Sequence, residues 1–168
     1  KSILAIAAEV RTLDVAADGR HIAVGADKEV QVFDLATGAR RARLPHDGLI
    51  MTAVFHAAGN RILSASRDGK ARLWDWQTSS LVHTLVHRDA VMTAVFDAGE
   101  TRIATGSNDR DLAVWDTATG RQLTIMTHGG DVNDLAWSRD ARRLFTASHD
   151  GTASVWDATS GSLLAAAP

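Results

Sequence analysis

The chain has 168 residues, 45% of them hydrophobic, and 18 Lys and Arg against 20 Asp and Glu give a formal charge of −2. That is the length of about one domain with a real core, and two prolines with no homopolymer run exclude a disordered, low-complexity chain. The absence of cysteine excludes a disulfide framework, thiol nucleophiles and thiolate metal sites, and the near-neutral charge gives no general pull toward a polyanion.

In chain order, "KSILAIAAE" comes first and imitates the end of a signal peptide. Its apolar core of six residues is below the roughly 7–15 that such a region needs. No apolar run approaches the roughly 20 residues that span a bilayer, so no membrane partner is expected. The first residue is not methionine, which points to a chain processed, tagged or cut from something longer. Freedom from cysteine fits a reducing compartment, and a cytoplasmic location is expected.

Four phrases then organise the chain. "VFDLATG", "LWDWQTS", "VWDTATG" and "VWDATSG" begin at Val32, Leu73, Val114 and Val155. A constant step of about 41 residues separates each from the next, and a period of that length is a repeat architecture. Laid out in rows of one period, His46, His87 and His128 share a column. So do Asp27, Asp68, Asp109 and Asp150, and again Asp34, Asp75, Asp116 and Asp157.

Within a row the periodicity is two, with β-prone runs between turn residues and no sustained helical spacing. The second row predicts strands at 50–56, 61–66, 70–76 and 80–86, each recurring once in every other row. The fold class is therefore all-β, in four-stranded units at 8–45, 46–86, 87–127 and 128–168. Residues 1–7 align with the outer strand of a preceding unit.

The upstream His, the Asp-containing turn and the Trp-Asp that closes the third strand resemble the WD-repeat family of β-propellers. The usual Gly-His of that family has become "PH", "VH" and "TH" here. The resemblance implies a buried hydrogen-bonded line in each blade, running Trp, Ser/Thr, His, Asp. Indole only donates, a carboxylate only accepts, and hydroxyl and imidazole do both, so such a line satisfies every member. The sets are Trp74, Ser64, His46, Asp68; then Trp115, Thr105, His87, Asp109; then Trp156, Thr146, His128, Asp150. Ser66, Ser107 and Ser148 are competing hydroxyls. The first row breaks the pattern, with Phe33 for Trp, Ala23 for the hydroxyl and Ala5 for His. That blade is expected to pack by apolar contacts.

Catalytic chemistry is not expected. Three histidines one blade apart cannot share an ion whose bonds are only about 2 Å long, so no metal or cofactor is predicted. Ser148, His149 and Asp150 spell a triad, but neighbours on a strand point to opposite faces. No phosphate loop, nucleophile elbow or zinc-protease helix motif is present. Arg40, Arg41 and Arg43 on an outer strand protect an exposed edge. A nucleic-acid partner is not expected, since no interleaved aromatics offer stacking platforms.

Propellers close with about 4–8 blades, and those similar to this family most often use seven, so four predict an open arc of a larger ring. Its exposed blade faces would meet further blades of the same chain or another copy. The expected function is a non-catalytic scaffold or sensor platform in a larger signalling or assembly protein, of the kind that in bacteria follows NTPase, kinase or protease domains. The alternatives are a purely architectural module and a catalytic propeller. The resemblance implies that residues flanking the start of each inner strand, and the one before the turn Asp, point from the top face. In the repeat register these are Ala8, Val10 and Ala26; Leu49, Met51 and Arg67; Ala90, Met92 and Asn108; and Asp131, Asn133 and His149. The "IMT" and "VMT" stretches resemble G-protein β subunits, whose equivalent positions contact partners. Leu49, Met51, Arg67 and Met92, with Asn108, are the expected centre of a peptide or protein site, and Asp131, Asn133 and His149 its polar rim. Otherwise Met51 and Met92 simply pack around the channel.

Overall fold

The computed structural model describes residue 6 and residues 8–168, and within these the chain is sixteen strands in four antiparallel sheets with no helix. Each sheet is a meander. Blade 1 holds β1 (Val10–Val15), β2 (His21–Ala26), β3 (Glu29–Asp34) and β4 (Arg40–Pro45). Blade 2 holds β5 (Ile50–Phe55), β6 (Arg61–Ser66), β7 (Lys70–Asp75) and β8 (Ser80–Val86). Blade 3 holds β9 (Val91–Phe96), β10 (Arg102–Ser107), β11 (Asp111–Asp116) and β12 (Gln122–Thr127). Blade 4 holds β13 (Val132–Trp137), β14 (Arg143–Ser148), β15 (Ala153–Asp157) and β16 (Leu163–Ala167). The outer strand predicted over 1–7 lies outside the described residues, apart from Ile6.

Turn chemistry shapes each meander. The Asp of the repeated phrase caps the turn into the outer strand by accepting backbone N–H groups. Asp34 Oδ1 takes Thr37 N at 3.0 Å, Asp75 Oδ1 takes Thr78 N at 3.1 Å, and Asp116 Oδ1 takes Thr119 N at 2.8 Å. These are side-chain turns, for which Asp is suited. The phrase thus ends a strand and opens its return.

The middle strands are buried on both faces because blades stack. In blade 2, Leu63, Leu73 and Leu85 lie on a forward face that meets Ile103 and Trp115 on the receiving face of blade 3. Blade 3 sends Leu112, Val114 and Met126 forward onto Leu135, Leu144 and Trp156 of blade 4. Val30, Val32 and Leu44 of blade 1 meet Ile62 and Trp74 of blade 2 in the same way. Each fully buried aliphatic side chain contributes about 1.5–3 kcal/mol, so these three interfaces, not any one sheet, hold the domain. The innermost strands touch in the order β1, β5, β9, β13, with no comparable contact from β13 back to β1 among the described residues. The ring is open.

Blade 1 departs from the repeat register. Its β3 and β4 lie one full period before β7 and the corresponding part of β8, but β1 and β2 fall one residue short of a period before β5 and β6. The β2–β3 hairpin pairs Ala26 with Glu29 across two residues, Asp27 and Lys28, where β6–β7 pairs Ala65 with Ala71 across a longer turn. Asp27 takes φ 51°, the left-handed conformation that Gly69 (φ 81°) and Gly151 (φ 85°) supply in blades 2 and 4. Asp tolerates that region better than most residues. One missing turn residue slides the front half of blade 1, so Val24, not Ala23, stands opposite Gln31 as Ser64 stands opposite Arg72.

Candidate interaction surface

The polar lines lie on the receiving faces, and two of them are alike. Trp115 Nε1 donates to Thr105 Oγ1 at 2.8 Å, His87 Nε2 lies 2.7 Å from the same hydroxyl, and His87 Nδ1 lies 3.2 Å from Asp109 Oδ2. In blade 4, Trp156 Nε1 reaches Thr146 Oγ1 at 2.9 Å, with His128 Nε2 at 2.7 Å from it and His128 Nδ1 at 3.2 Å from Asp150 Oδ2. A carboxylate can only accept, so Nδ1 carries the proton and Nε2 accepts from the threonine hydroxyl. Donation runs from indole to carboxylate. The turn Asp also accepts the N–H that follows each His, from Arg88 at 2.8 Å and Gly129 at 2.9 Å, tying strand to turn.

Blade 2 is wired differently. Trp74 Nε1 donates to Ser64 Oγ at 3.0 Å and His46 Nε2 lies 2.7 Å from that oxygen. But the Arg72 guanidinium inserts beside His46, its Nη1 against His46 Nδ1 and 2.7 Å from Asp68 Oδ2. A guanidinium only donates. His46 Nδ1 must therefore accept, its proton sits on Nε2, and Ser64 receives two donors while turning its own hydroxyl to Arg72 O at 3.4 Å. Burial first, and then the Arg72 charge, pushes the His46 pKa down to about 4. Burial also lowers His87, against the pull of Asp109. Burial acts to raise Asp68, but the Arg72 hydrogen bond and charge together with the Asp47 N–H outweigh it and hold the carboxyl below its usual range.

In blade 1 the line is absent and its place is apolar. Phe33 packs with Val24 and Ala26, and Ile6 and Ile22 close over them. With the register corrected, Ile6 takes the position expected of Ala5, and Val24 that of Ala23. The competing serines serve turns instead of indoles: Ser66, Ser107 and Ser148 each accept the N–H two residues ahead, at 3.1–3.2 Å.

The top face is built by bulges. Strand pairing passes from Ile50 to Thr52, from Val91 to Thr93 and from Val132 to Asp134, skipping Met51, Met92 and Asn133. Bulges re-aim side chains at strand ends. Met51, Met92 and Asn133 are half-buried there. The turn residue of each blade docks beside them through its backbone: Arg67 N donates to Leu49 O, Asn108 N to Ala90 O and His149 N to Asp131 O, each at 2.9 Å. Arg67 and His149 are exposed, Leu49, Asn108 and Asp131 half-buried, and Ala90 buried. His149 Nδ1 stands 3.5 Å from Asp131 Oδ2. The slip in blade 1 changes its members, because there Asp27 N donates to Glu9 O at 3.4 Å and the skipped residue is Arg11. Glu9, Arg11 and Asp27 replace the expected Ala8, Val10 and Ala26. The face thus begins charged, becomes apolar at Leu49, Met51 and Met92, and ends polar.

Residues 40–75, 79–116 and 120–157 match the family described as WD domain, G-beta repeat, which is more than half of the chain. The chain belongs to the WD-repeat family. No significant match is found among curated proteins. Each WD match starts at or near an outer strand of one blade and runs through the first three strands of the next, so the sequence repeat staples neighbouring blades together. The first match begins at the outer strand of the blade whose line is apolar and whose turn is short, and leaves its other three strands unmatched.

WD-repeat domains serve typically as protein-interaction scaffolds. Among the described residues, no group of His, Asp and Glu is arranged to hold a metal ion. Ser148 and Asp150 engage one another only through the turn, and His149 faces Asp131. Of the outer-strand arginines, Arg41 pairs with Asp34 at 3.2 Å and Arg43 with Glu29 at 2.7 Å. Arg72 is the member that sequence reasoning missed. Parity puts residues 72 and 74 on one strand face, and so on the side of the buried indole, but parity alone does not bring a side chain into the line.

Proposed function

We propose that this chain is a non-catalytic interaction platform within a larger cytoplasmic signalling or assembly protein, binding a peptide or protein segment on its top face. Leu49, Met51, Arg67 and Met92 with Asn108 form the centre, and Asp131, Asn133 and His149 the rim. The observation that carries the reading is the pair of bulges that leave Met51 and Met92, two adaptable half-buried side chains, out of the strand pairing at the end of the sheet where the exposed Arg67 docks through its N–H on Leu49 O. Arginine anchors interfaces well, and half-buried methionines leave apolar surface for a partner to cover.

Partner capture from an extract of the source cells, comparing the wild-type chain with Met51→Asp/Arg67→Glu, tests this. The double variant is expected to retain its unfolding free energy within about 0.5 kcal/mol, as surface changes do, and to lose the captured partner. Retained capture by the folded double variant would overturn the reading.

A further inference from the structure

Three methionines carry the only sulfur atoms of a chain without cysteine, and the fold treats them unequally. Met126 is 3% exposed, on the forward face of blade 3, in one core with Leu135, Leu144 and Trp156 of blade 4. Met51 and Met92 are half-buried on the top face, each at a bulge where strand pairing skips it. The residue before each bulge takes the buried place between blades, since Ile50 and Val91 belong to the cores and are both 0% exposed. Met51 and Met92 are thus left at the edge of those cores, in reach of solvent.

The third member of this column shows what the position tolerates. Blade 4 has Asn133 where blades 2 and 3 have methionine, likewise half-buried and likewise skipped by the pairing. Pairing resumes beyond it at Asp134 with Ala147, as it resumes beyond Met51 at Thr52 with Ala65. A polar side chain with an acceptor oxygen is therefore compatible with this bulge. The same oxygen would change the surface instead. Leu49, Met51 and Met92 are the apolar members of the centre of the candidate site, whose other members are Arg67 and Asn108.

We infer that Met51 and Met92 are an oxidation site through which a hydroperoxide switches off the top face, an inference that rests on the peptide-binding reading of that face. The thioether sulfur attacks one oxygen of hydrogen peroxide and gives up two electrons. The O–O bond breaks, that oxygen stays on sulfur as the sulfoxide, and the other leaves as water with both protons. An apolar side chain becomes a polar, chiral one. Oxidation of both methionines leaves Leu49 as the apolar contact of the centre, and a partner that covers a sulfoxide must strip it of water. The fold stays, because the positions lie outside the strand pairing and Met126 is closed in its core. Methionine sulfoxide reductases, one for each epimer, reverse the change.

Dilute hydrogen peroxide followed by peptide mass mapping tests the chemistry. Met51 and Met92 should gain oxygen at least about tenfold faster than the enclosed Met126, and the urea midpoint of the chain should not move as they do. Capture of the partner from an extract of the source cells should fall at least about tenfold, the cost of covering one polar group without a hydrogen bond. Treatment with both reductases should restore it. Met51→Leu/Met92→Leu is compared only with itself, and peroxide should leave its capture where it stood. Equal rates at the three methionines, unfolding with oxidation, capture indifferent to oxidation, a loss that the reductases do not undo, or a leucine variant that still responds would each overturn the inference. Capture that is indifferent to oxidation but lost in Met51→Asp/Arg67→Glu removes the switch and leaves the top-face reading standing. If the untreated chain captures nothing, or capture survives that double variant, the reading itself fails and the switch falls with it.

Discussion

Blades 2 and 3 share a phrase, a strand register and a line of four polar residues, yet protons run through them in different directions. In blade 3 donation passes from Trp115 through Thr105 and His87 to Asp109, with the His87 proton turned to the carboxylate. In blade 2 it converges on Ser64 from both sides, because Arg72 occupies the acceptor nitrogen of His46 and takes Asp68 for itself. At the position between the turn and the indole, blade 2 has Arg72 where blade 3 has Ala113. A buried hydrogen-bonded line is thus defined by the sum of its donors and acceptors, and adding one donor-only group reverses the rest.

The largest effect should come from removing the carboxylate that each line ends on. Asp68→Asn leaves the guanidinium of Arg72, only 10% exposed, facing a neutral amide. Breaking a buried pair in this way costs about 3–5 kcal/mol. Asp109→Asn leaves no buried cation behind, since His87 can stay neutral, and should cost about 1–3 kcal/mol. Equal losses for the two variants in urea unfolding would show that Arg72 has no structural hold on Asp68.

Acid provides the next test. His46 has an ordinary value of 6.5 that falls to about 4 in the fold. Above pH 6.5 it is neutral in both states and blade 2 keeps its full stability. Between pH 6.5 and 4 the unfolded chain takes up a proton that the folded chain refuses, so stability falls with falling pH, by about 3 kcal/mol across the window. His87, also lowered by burial, adds a loss of the same sign. A urea midpoint equal at pH 7 and pH 4.5 would contradict both placements. Below this range the depressed carboxyls of Asp68 and Asp109 begin to take up protons and stability falls again.

His87→Ala is expected to cost about 1–3 kcal/mol, because the Thr105 hydroxyl and Asp109 carboxylate lose their shared partner while staying buried. His46→Ala should cost less, since Arg72 and Asp68 remain paired at 2.7 Å without it. Unfolding midpoints ranked the other way would remove the distinction between the two lines.

Much of this was legible in the sequence. The strands of blades 2 to 4 and the aligned Trp, His and Asp columns follow from a fixed period with alternation inside it, because both survive any one substitution, while the open arc and the line through the hydroxyls followed from the resemblance to WD-repeat propellers. Two things escaped. A fixed period assumes that no turn changes length, so it misplaced Ala23, Ala5, Ala8, Val10 and Ala26. The glycine of "RDGK" and "HDGT" is missing from "ADKE", but it is missing from "NDRD" as well, where Arg110 takes φ 76° and the turn keeps its length, so no local sign marked the tighter hairpin. Arg72 escaped because a column that holds Gln31, Arg72, Ala113 and Ser154 carries no pattern. Only three-dimensional placement beside His46 gives that arginine its effect.

The smallest effect in energy is the sharpest in structure. Arg72→Ala gives blade 2 the residue that blade 3 has at this position. The Asp68 carboxylate keeps Asp47 N at 3.0 Å and Lys70 N at 3.0 Å, so it is not stranded. His46 Nδ1 already lies 3.4 Å from Asp68 Oδ2 and is free to become the donor there. Arg72 gives up its own desolvation, while the carboxylate stays buried on the same kind of N–H groups that hold Asp109 in blade 3, so the cost should be about 1 kcal/mol, well below that of stranding a buried charge. The proton should nevertheless move. In the wild-type chain, nitrogen NMR at pH 7 should report His46 protonated at Nε2 and His87 and His128 at Nδ1. In Arg72→Ala all three should be protonated at Nδ1, and the pKa of His46 should rise with the loss of the neighbouring charge. If His46 keeps its tautomer after that substitution, the guanidinium does not set the direction of the line, and the contrast between the two blades has another cause.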